Sequence, residues 1–178
     1  MRESVEVLQG GGPDDVVELT LELAREMLQG AGRDDVDPAD KLADGSAMDV
    51  WRRMIAAQGG DPDADLPTSE HSEVVNAPET GVLTRLDAMA VGMAAWRLGA
   101  GRANQGEPVQ LGAGVEIHVR PGERTTKGQP LLTLHTDDPE RFERAKASLE
   151  GGIDIEDDAE FTPRPLLLGR VDQESARG

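Results

Sequence analysis

Cysteine and tyrosine are both missing from this sequence of 178 residues, and phenylalanine and tryptophan occur only twice each. The absence of cysteine excludes disulfide bridges, zinc sites with thiolate ligands and a cysteine nucleophile. With so few aromatic residues, the core has to be built from leucine, valine, isoleucine, methionine and alanine. Such a core packs well, but it offers little surface on which nucleic-acid bases could stack.

Basic residues are also scarce. Eighteen lysines and arginines stand against 35 aspartates and glutamates, so the formal net charge is −17 at pH 7. Because nucleic acids and anionic membrane surfaces are polyanions, this balance argues against both as partners and favours a solubilising acidic surface. No apolar run approaches the roughly 20 residues of a membrane-spanning helix, and residues 1–4 do not resemble a signal peptide. We therefore expect a soluble, cytoplasmic protein.

The first third of the chain has the pattern of helices. Residues 2–9 have apolar residues three apart with no cap before them, which is typical of the end of a helix in a longer protein. The apolar face over residues 16–28 predicts a core helix. Ser46 is expected to cap the next helix, which ends at the glycines after residue 58. Residues 61–68 are rich in Asp and Pro, so we place a domain boundary there.

The stretch from residue 77 to residue 136 organises the remainder of the chain. Apolar and polar residues alternate on both sides of Pro121-Gly122 and Lys127-Gly128, which is typical of β-hairpins. A helix is expected over residues 88–98, well before these two turns, and Asp87 is expected to cap it. That helix is apolar all round, so we expect it to be buried on several sides.

The last quarter of the chain alternates between helix and strand patterns. A helix is expected over residues 139–149, and strands are expected at residues 153–155 and 166–168. The predicted fold class is therefore α/β (α+β). Its main part is a barrel-sandwich-like β-hairpin domain around a buried helix.

Few residues suggest chemistry. Gly10-Gly11-Gly12 precedes a helix, as phosphate-binding loops do, but Asp14 and Asp15 follow at once and would repel an anion, so an ordinary turn is favoured. His71, His118 and His135 fit no metal-binding spacing. The last two could face each other across a hairpin, but their apolar surroundings favour structural histidines.

Two further sets of charged residues have simple interpretations. Asp137-Asp138 and Asp157-Asp158 are interpreted as solvated surface, since an acid-rich sequence produces such pairs by chance.

The hairpin pattern is similar to biotinyl and lipoyl carrier domains, which need an exposed lysine between their two halves. The chain has only Lys41, Lys127 and Lys146, and none lies between Val82 and His118. A working carrier is therefore disfavoured.

Several segments along the chain resemble a known family, and together they span essentially the whole sequence. The first is RESVEVLQGGGP at residues 2–13, followed by residues 23–28, 47–60, 86–92, 98–102 and 122–136. In this order they resemble the C-terminal part of the thymidine phosphorylases, in the pyrimidine-nucleoside phosphorylase family. The resemblance implies that residues 1–66 are the closing helices of a central α/β domain. Residues 67–178 would then form the family's C-terminal α/β domain.

The resemblance also implies a reaction and the place of its site. Family members catalyse reversible phosphorolysis, in which thymidine and phosphate give thymine and 2-deoxyribose 1-phosphate. The family's Lys-His-Ser-Thr-Gly-Gly phosphate loop and its pyrimidine-binding residues lie in earlier parts of the chain and do not occur here. We therefore assign no catalytic, substrate-binding or metal-ligating residue, and no cofactor, to this chain.

The expected role follows from what the chain would be part of. Its implied partner is the remainder of the parent enzyme. The parent is expected to be a homodimer, and phosphate and a pyrimidine nucleoside are expected as partners only of the full-length protein. Glu3 matches a cation-binding position of some family members, but a helix-surface glutamate is the simpler interpretation. The long, glycine-rich loop over residues 99–114 is expected near the mouth of the interdomain cleft. We expect a structural, non-catalytic fragment that is inactive alone; the alternative is a stand-alone binding or scaffold module.

Overall fold

The computed structural model describes residues 1–102, 104–106 and 108–169, and it divides into two compact units. One unit contains Met1–Asp65 together with the described residues after Pro163, and the other is Leu66–Pro163. In the described part of the chain, every helix is too short or too polar to cross a membrane.

The described part of the first unit is helical, as predicted. Its helices are α1 (Arg2–Leu8), α2 (Asp14–Gly30), α3 (Pro38–Ala43) and α4 (Ser46–Ala57). Helix α3 is capped by the carboxylate of Asp37, which accepts a hydrogen bond from the N–H of Ala39 at 3.0 Å. Met48 of α4 is buried and faces the same side as the half-buried Trp51 and Ile55.

Two predictions for this unit are wrong. The apolar face of α2 is present, but no residue of α2 is buried, and Met27 is 70% exposed. The pattern therefore marks a face suited to burial, but in the described chain this face is only partly covered: Val16, Leu19 and Leu28 are half-buried, whereas Leu23 and Met27 are exposed. Ser46 is the first helical residue of α4 and not its cap; Gly45, at φ +77°, occupies that position. The N–H of Ser46 donates to the carboxylate of Asp44 at 2.8 Å.

The second unit alternates strands and helices. Its elements are β1 (His71–Asn76), β2 (Gly81–Leu86), α5 (Ala88–Ala95), a π-helical turn (Trp96–Ala100), β3 (Gly114–Ile117), β4 (Arg124–Thr125), β5 (Pro130–Thr136), α6 (Arg141–Leu149) and β6 (Ile153–Glu156). The strands form two antiparallel sheets, one in the order β1-β5-β3 and the other in the order β4-β2-β6. Among the described residues the sheets do not close into a barrel, so the observed class is a mixed α/β fold.

The core of the second unit is aliphatic, as the composition requires. Its fully buried side chains come from β2, β5 and the π-helical turn, and α6 packs its apolar face on them. These residues are Leu83, Leu98, Leu131, Leu132, Leu134, Phe142, Ala145 and Leu149. Each large aliphatic side chain buried in this way contributes about 1.5–3 kcal/mol of transfer free energy. The predicted faces of β5 and α6 are confirmed.

Two further predictions are wrong, one for helix α5 and one for residues 166–168. Helix α5 is capped by Asp87, as predicted, but it is not buried on several sides: Ala94 is its one buried residue, and Met89 is 74% exposed. An all-apolar sequence allows burial all round but does not supply the cover. The predicted strand at residues 166–168 is not formed; these leucines are exposed and have no ladder partner among the described residues.

Candidate functional site

The loop over residues 99–114 leaves and rejoins the core at one junction. Several polar groups of the second unit are hydrogen-bonded to one another there. Gly99 lies within the π-helical turn and has φ +113°, a conformation that favours glycine. The N–H of Gln110 donates to the carbonyl of Gly99 at 2.9 Å, which ties the returning strand of the loop to its start. A Cβ on Gly99 would lie 2.8 Å from Cδ of Gln110, so the two residues are in close contact.

Thr136, at the end of β5, connects the two sides of this junction through its hydroxyl group. Its side chain is fully buried, and its hydroxyl lies 2.7 Å from the carbonyl oxygen of Leu98, to which it donates. The same oxygen accepts from the N–H of Asp138 at 3.2 Å and lies 3.0 Å from Oε1 of Gln110. Oε1 of Gln110 also accepts from the N–H of Asp137 at 2.9 Å. The junction is therefore a connected network of polar groups at the edge of the core.

The first residues of the loop are held by an aromatic side chain. The indole Nε1–H of Trp96 donates to the carbonyl of Arg102 at 3.0 Å. A Cβ on Gly101 would lie 2.5 Å from Cδ1 of Trp96, so the chain passes directly over the ring. The side chain of Arg102 is exposed.

The three histidines do not come together. His71 begins β1 and is opposite Thr136. His118 follows β3 and lies 2.7 Å from the hydroxyl of Thr133, whereas His135 is opposite Gly114 at the other end of the strand pair. The alternative in which His118 and His135 face each other across a hairpin does not hold, because the register separates them along the strands.

His135 has polar neighbours of its own. Its Nδ1 lies 3.4 Å from the hydroxyl of Ser69, and its Nε2 lies 3.5 Å from a carboxylate oxygen of Glu116. Glu116 is more than half exposed. These long contacts lie at the protein surface. In the described residues, no three His, Asp or Glu side chains are grouped closely enough to hold a metal ion.

The glycine run at residues 10–12 ends α1. The N–H groups of Gly10 and Gly11 donate to the carbonyls of Val7 and Glu6, both at 3.0 Å, so they are already engaged in closing the helix. A Cβ on Gly12 would lie 2.5 Å from the side chain of Val7, which requires glycine there. The interpretation as an ordinary turn is supported by these bonds. Glu3 is exposed on α1.

The acidic pairs and the lysines have structural partners. Asp157 and Asp158 each lie 3.4 Å from the guanidinium of Arg124. Lys127 is exposed in the turn before β5, where its N–H donates to the hydroxyl of Thr80 at 2.9 Å. Lys146 lies between two carboxylates.

The ammonium group of Lys146 is 2.6 Å from Glu143 and 2.7 Å from Glu73. These bonds, the one to Glu143 first, raise the pKa of Lys146 above its usual value. Both partners stabilise the charged form, so this lysine acts as a surface cross-link between α6 and β1.

Sequence reasoning missed the junction itself. Gln110 is one polar residue in a polar loop, and Thr136 continues the alternation of a strand, so neither stands out by type or spacing. The one available signal was Gly99 at the end of an apolar helix, where a positive φ is common. Gln110, which bonds to that glycine, lies 11 positions further along the chain, and Thr136, which bonds to the carbonyl of Leu98, lies 38 positions after Leu98. Only the fold brings these residues together.

The chain is similar to proteins of known families. A family model described as the pyrimidine nucleoside phosphorylase C-terminal domain matches residues 82–156. The sequence is 57% identical over 169 residues to a thymidine phosphorylase of Mycobacterium tuberculosis, with 95% of this chain and 39% of that protein covered. It is 32% identical over 191 residues to a thymidine phosphorylase of Homo sapiens, with 93% of this chain and 39% of that protein covered.

A third relative is a pyrimidine-nucleoside phosphorylase of Staphylococcus epidermidis. It is 29% identical over 182 residues, with 96% of this chain and 41% of that protein covered. The chain therefore spans only about two fifths of the length of these curated relatives, while nearly all of the chain is matched.

Proposed function

Since the chain belongs to the pyrimidine nucleoside phosphorylase family and corresponds to a C-terminal portion of its members, we propose that it completes an enzyme that cleaves thymidine with phosphate. The products would be thymine and 2-deoxyribose 1-phosphate. The observation that carries this proposal is the 57% identity over 95% of the chain to a protein named thymidine phosphorylase. The role proposed for the chain itself is structural and non-catalytic.

The chemistry of phosphorolysis supports this division of roles. A phosphate oxygen bonds to the anomeric carbon of the sugar as the bond to the pyrimidine nitrogen breaks, and that nitrogen takes up a proton. Such a reaction needs cationic donors for phosphate and donors for the charge that develops on the leaving base. The sequence contains no Lys-His-Ser-Thr-Gly-Gly loop. We infer that the catalytic groups come from the part of the enzyme that precedes this chain.

Several finer points belong to the same proposal. Residues 1–66 would close the central α/β domain, and residues 67–178 would form the C-terminal domain with its two sheets in a barrel-sandwich-like arrangement. The uncovered apolar faces of α2 and α5 are suited to packing on the remainder of the enzyme. The complete enzyme would be a cytoplasmic homodimer that binds phosphate and a pyrimidine nucleoside.

We further propose that the loop over residues 99–114 contributes to the mouth of the interdomain cleft. Its length, its glycines and its firm attachment through Gln110 support this role, because binding residues are commonly found on loops that a rigid scaffold positions. In the complete enzyme, Arg102→Ala should alter substrate affinity or turnover. Unchanged steady-state kinetics would remove the loop from the proposal.

A chimaera tests the central proposal. The part of the Mycobacterium tuberculosis thymidine phosphorylase that precedes the matched segment would be joined to this chain, and thymine release from thymidine would be measured with and without phosphate. We expect phosphate-dependent release from the chimaera and none from this chain alone. The intact mycobacterial enzyme serves as the positive control.

The outcomes separate the alternatives. A folded chimaera without activity would contradict the proposed role and favour a stand-alone binding or scaffold module. Activity of this chain alone would show that its own residues catalyse the reaction. No finding favours a modified-lysine carrier; the intact mass of the purified chain would reveal a biotinyl or lipoyl increment.

A further inference from the structure

A cavity of about 380 Å³ lies beside the loop junction in the second unit, within the size range of small-ligand sites. Three arginines line it, Arg97 from the π-helical turn and Arg141 and Arg144 from α6. Gln110 and Trp96 also line the cavity. The chain has almost twice as many acidic as basic residues, so three guanidinium groups around one cavity need an explanation.

The arginines of the cavity are poorly neutralised by the protein. Arg141 pairs with Asp138, with its Nε 3.1 Å from the carboxylate. Arg97 donates from Nη1 to the backbone carbonyl of Arg144 at 2.9 Å, and no carboxylate of the described residues forms an ion pair with Arg97 or Arg144. Counted over the described residues, the wall therefore carries more positive than negative charge.

Other arginines of the same unit are paired. Arg85 contacts Asp87 and Asp154, and Arg124 contacts Asp157 and Asp158. Each of these two guanidiniums has two carboxylates within ion-pair distance. The difference indicates that the charges at the cavity are available to an external anion.

The neutral groups of the wall fit an anion as well. Oε1 of Gln110 is occupied by the N–H of Asp137, so the group that this side chain can still offer is its NH2. The guanidinium groups also only donate. The indole of Trp96, fixed through its own N–H to Arg102, provides an apolar surface beside these donors. A ligand with several acceptor oxygens and a double negative charge matches this set.

We propose that this cavity binds the phosphate group of a small phosphorylated molecule, with Arg97, Arg141 and Arg144 as its cationic ligands. Both sources of this group, the free phosphate ion and a phosphate ester, fit the volume of the cavity. Planar guanidinium forks match phosphate oxygens in geometry as well as in charge. Phosphate binding in this cavity depends on residues of this chain alone. It does not depend on the phosphorolysis proposed above.

Binding can be followed through Trp96. The chain has two tryptophans, so Trp51→Phe leaves Trp96 as the single indole reporter. The purified full chain with this substitution would be titrated with inorganic phosphate and, separately, with thymidine 5′-monophosphate at constant ionic strength. Thymidine and sodium chloride are the controls without phosphate. A saturable fluorescence change with either phosphate compound, but with neither control, is the expected result.

Arg144→Glu is the test variant, because this side chain is exposed and forms no ion pair among the described residues. It should weaken binding by about tenfold or more, as loss of a charge-assisted contact and addition of a repulsive charge predict. Arg124→Glu makes the same change of charge elsewhere in the second unit and should leave the affinity within about twofold. Thermal unfolding of both variants checks that they are folded.

The relative affinities of the two phosphate compounds distinguish the free ion from an ester as the ligand. Tighter binding of the monophosphate identifies a phosphate ester as the ligand, and equal or tighter binding of inorganic phosphate identifies the free ion. The proposal is overturned if neither compound gives a saturable signal, if thymidine binds as well as its monophosphate, or if Arg124→Glu weakens binding as much as Arg144→Glu does.

Discussion

Two buried threonines in the second unit should respond in opposite ways to the same substitution. Thr136 and Thr125 are both fully buried. The hydroxyl of Thr136 donates to the carbonyl of Leu98 at 2.7 Å and accepts from the N–H of Asp138 at 3.2 Å. The hydroxyl of Thr125 has no hydrogen-bond partner among the described residues. Replacement by valine keeps the shape and removes only the hydroxyl.

The magnitudes follow from what each hydroxyl does. Thr136→Val removes bonds at the loop junction and leaves buried partners without them, which costs about 1–3 kcal/mol of the free energy of unfolding. Thr125→Val removes a buried polar group that has no partner, so it should be neutral or stabilise the second unit by up to about 1–3 kcal/mol. For a unit of this size, 1 kcal/mol corresponds to a shift in Tm of about 4–8 °C.

The assay is urea unfolding of the second unit, followed by the fluorescence of Trp96 in the Trp51→Phe background. Because the chain has two compact units, a probe in the second unit avoids mixing two transitions. We expect the midpoint to fall for Thr136→Val and to stay or rise for Thr125→Val. Equal destabilisation by both substitutions would refute the reasoning, since it would mean that the bonds of Thr136 to Leu98 and Asp138 do not decide its contribution to stability.

Three further predictions concern the backbone and pH. Gly99→Ala should lower the urea midpoint of the second unit by an amount equivalent to about 1–3 kcal/mol, because φ is +113° and the new Cβ would lie 2.8 Å from Gln110; an unchanged midpoint would contradict this. Gly81→Ala should loosen the pairing of β2 with β6, since its Cβ would lie 2.6 Å from the carbonyl oxygen of Glu156; faster amide exchange in β6 is the readout, and unchanged exchange counts against it. The N–H of Ala90, and then Arg85, hold the pKa of Asp87 below its usual value, so its contribution to stability is complete above about pH 4 and is lost as the pH falls through the lower folded value. The Tm difference between the wild type and Asp87→Asn should therefore be constant from about pH 7 to pH 5 and shrink below about pH 4, whereas a difference that grows in acid would contradict the cap.

Local patterns predicted most of the elements correctly. The helix cap at Asp87, helix α6 and the strands β5 and β6 all follow from residue type and spacing over a few positions. The cap at Ser46 failed because Gly45 and Asp44 together satisfy the same helix end, and several short-range solutions exist for one set of N–H groups. The predicted strand at residues 166–168 failed because three leucines do not by themselves supply a ladder partner.

The family and the aliphatic core were determined by the sequence alone, because composition and ordered motifs are properties of the chain in any conformation. Two things were decided only by the tertiary structure. One is the contact of Leu98, Gln110 and Thr136 at the loop junction, together with the three arginines beside it. The other is which apolar faces are covered, such as that of α6, and which are not, such as that of α5. Periodicity records that a face is apolar, but contacts between residues far apart in the chain depend on strand register and packing, which no local pattern specifies.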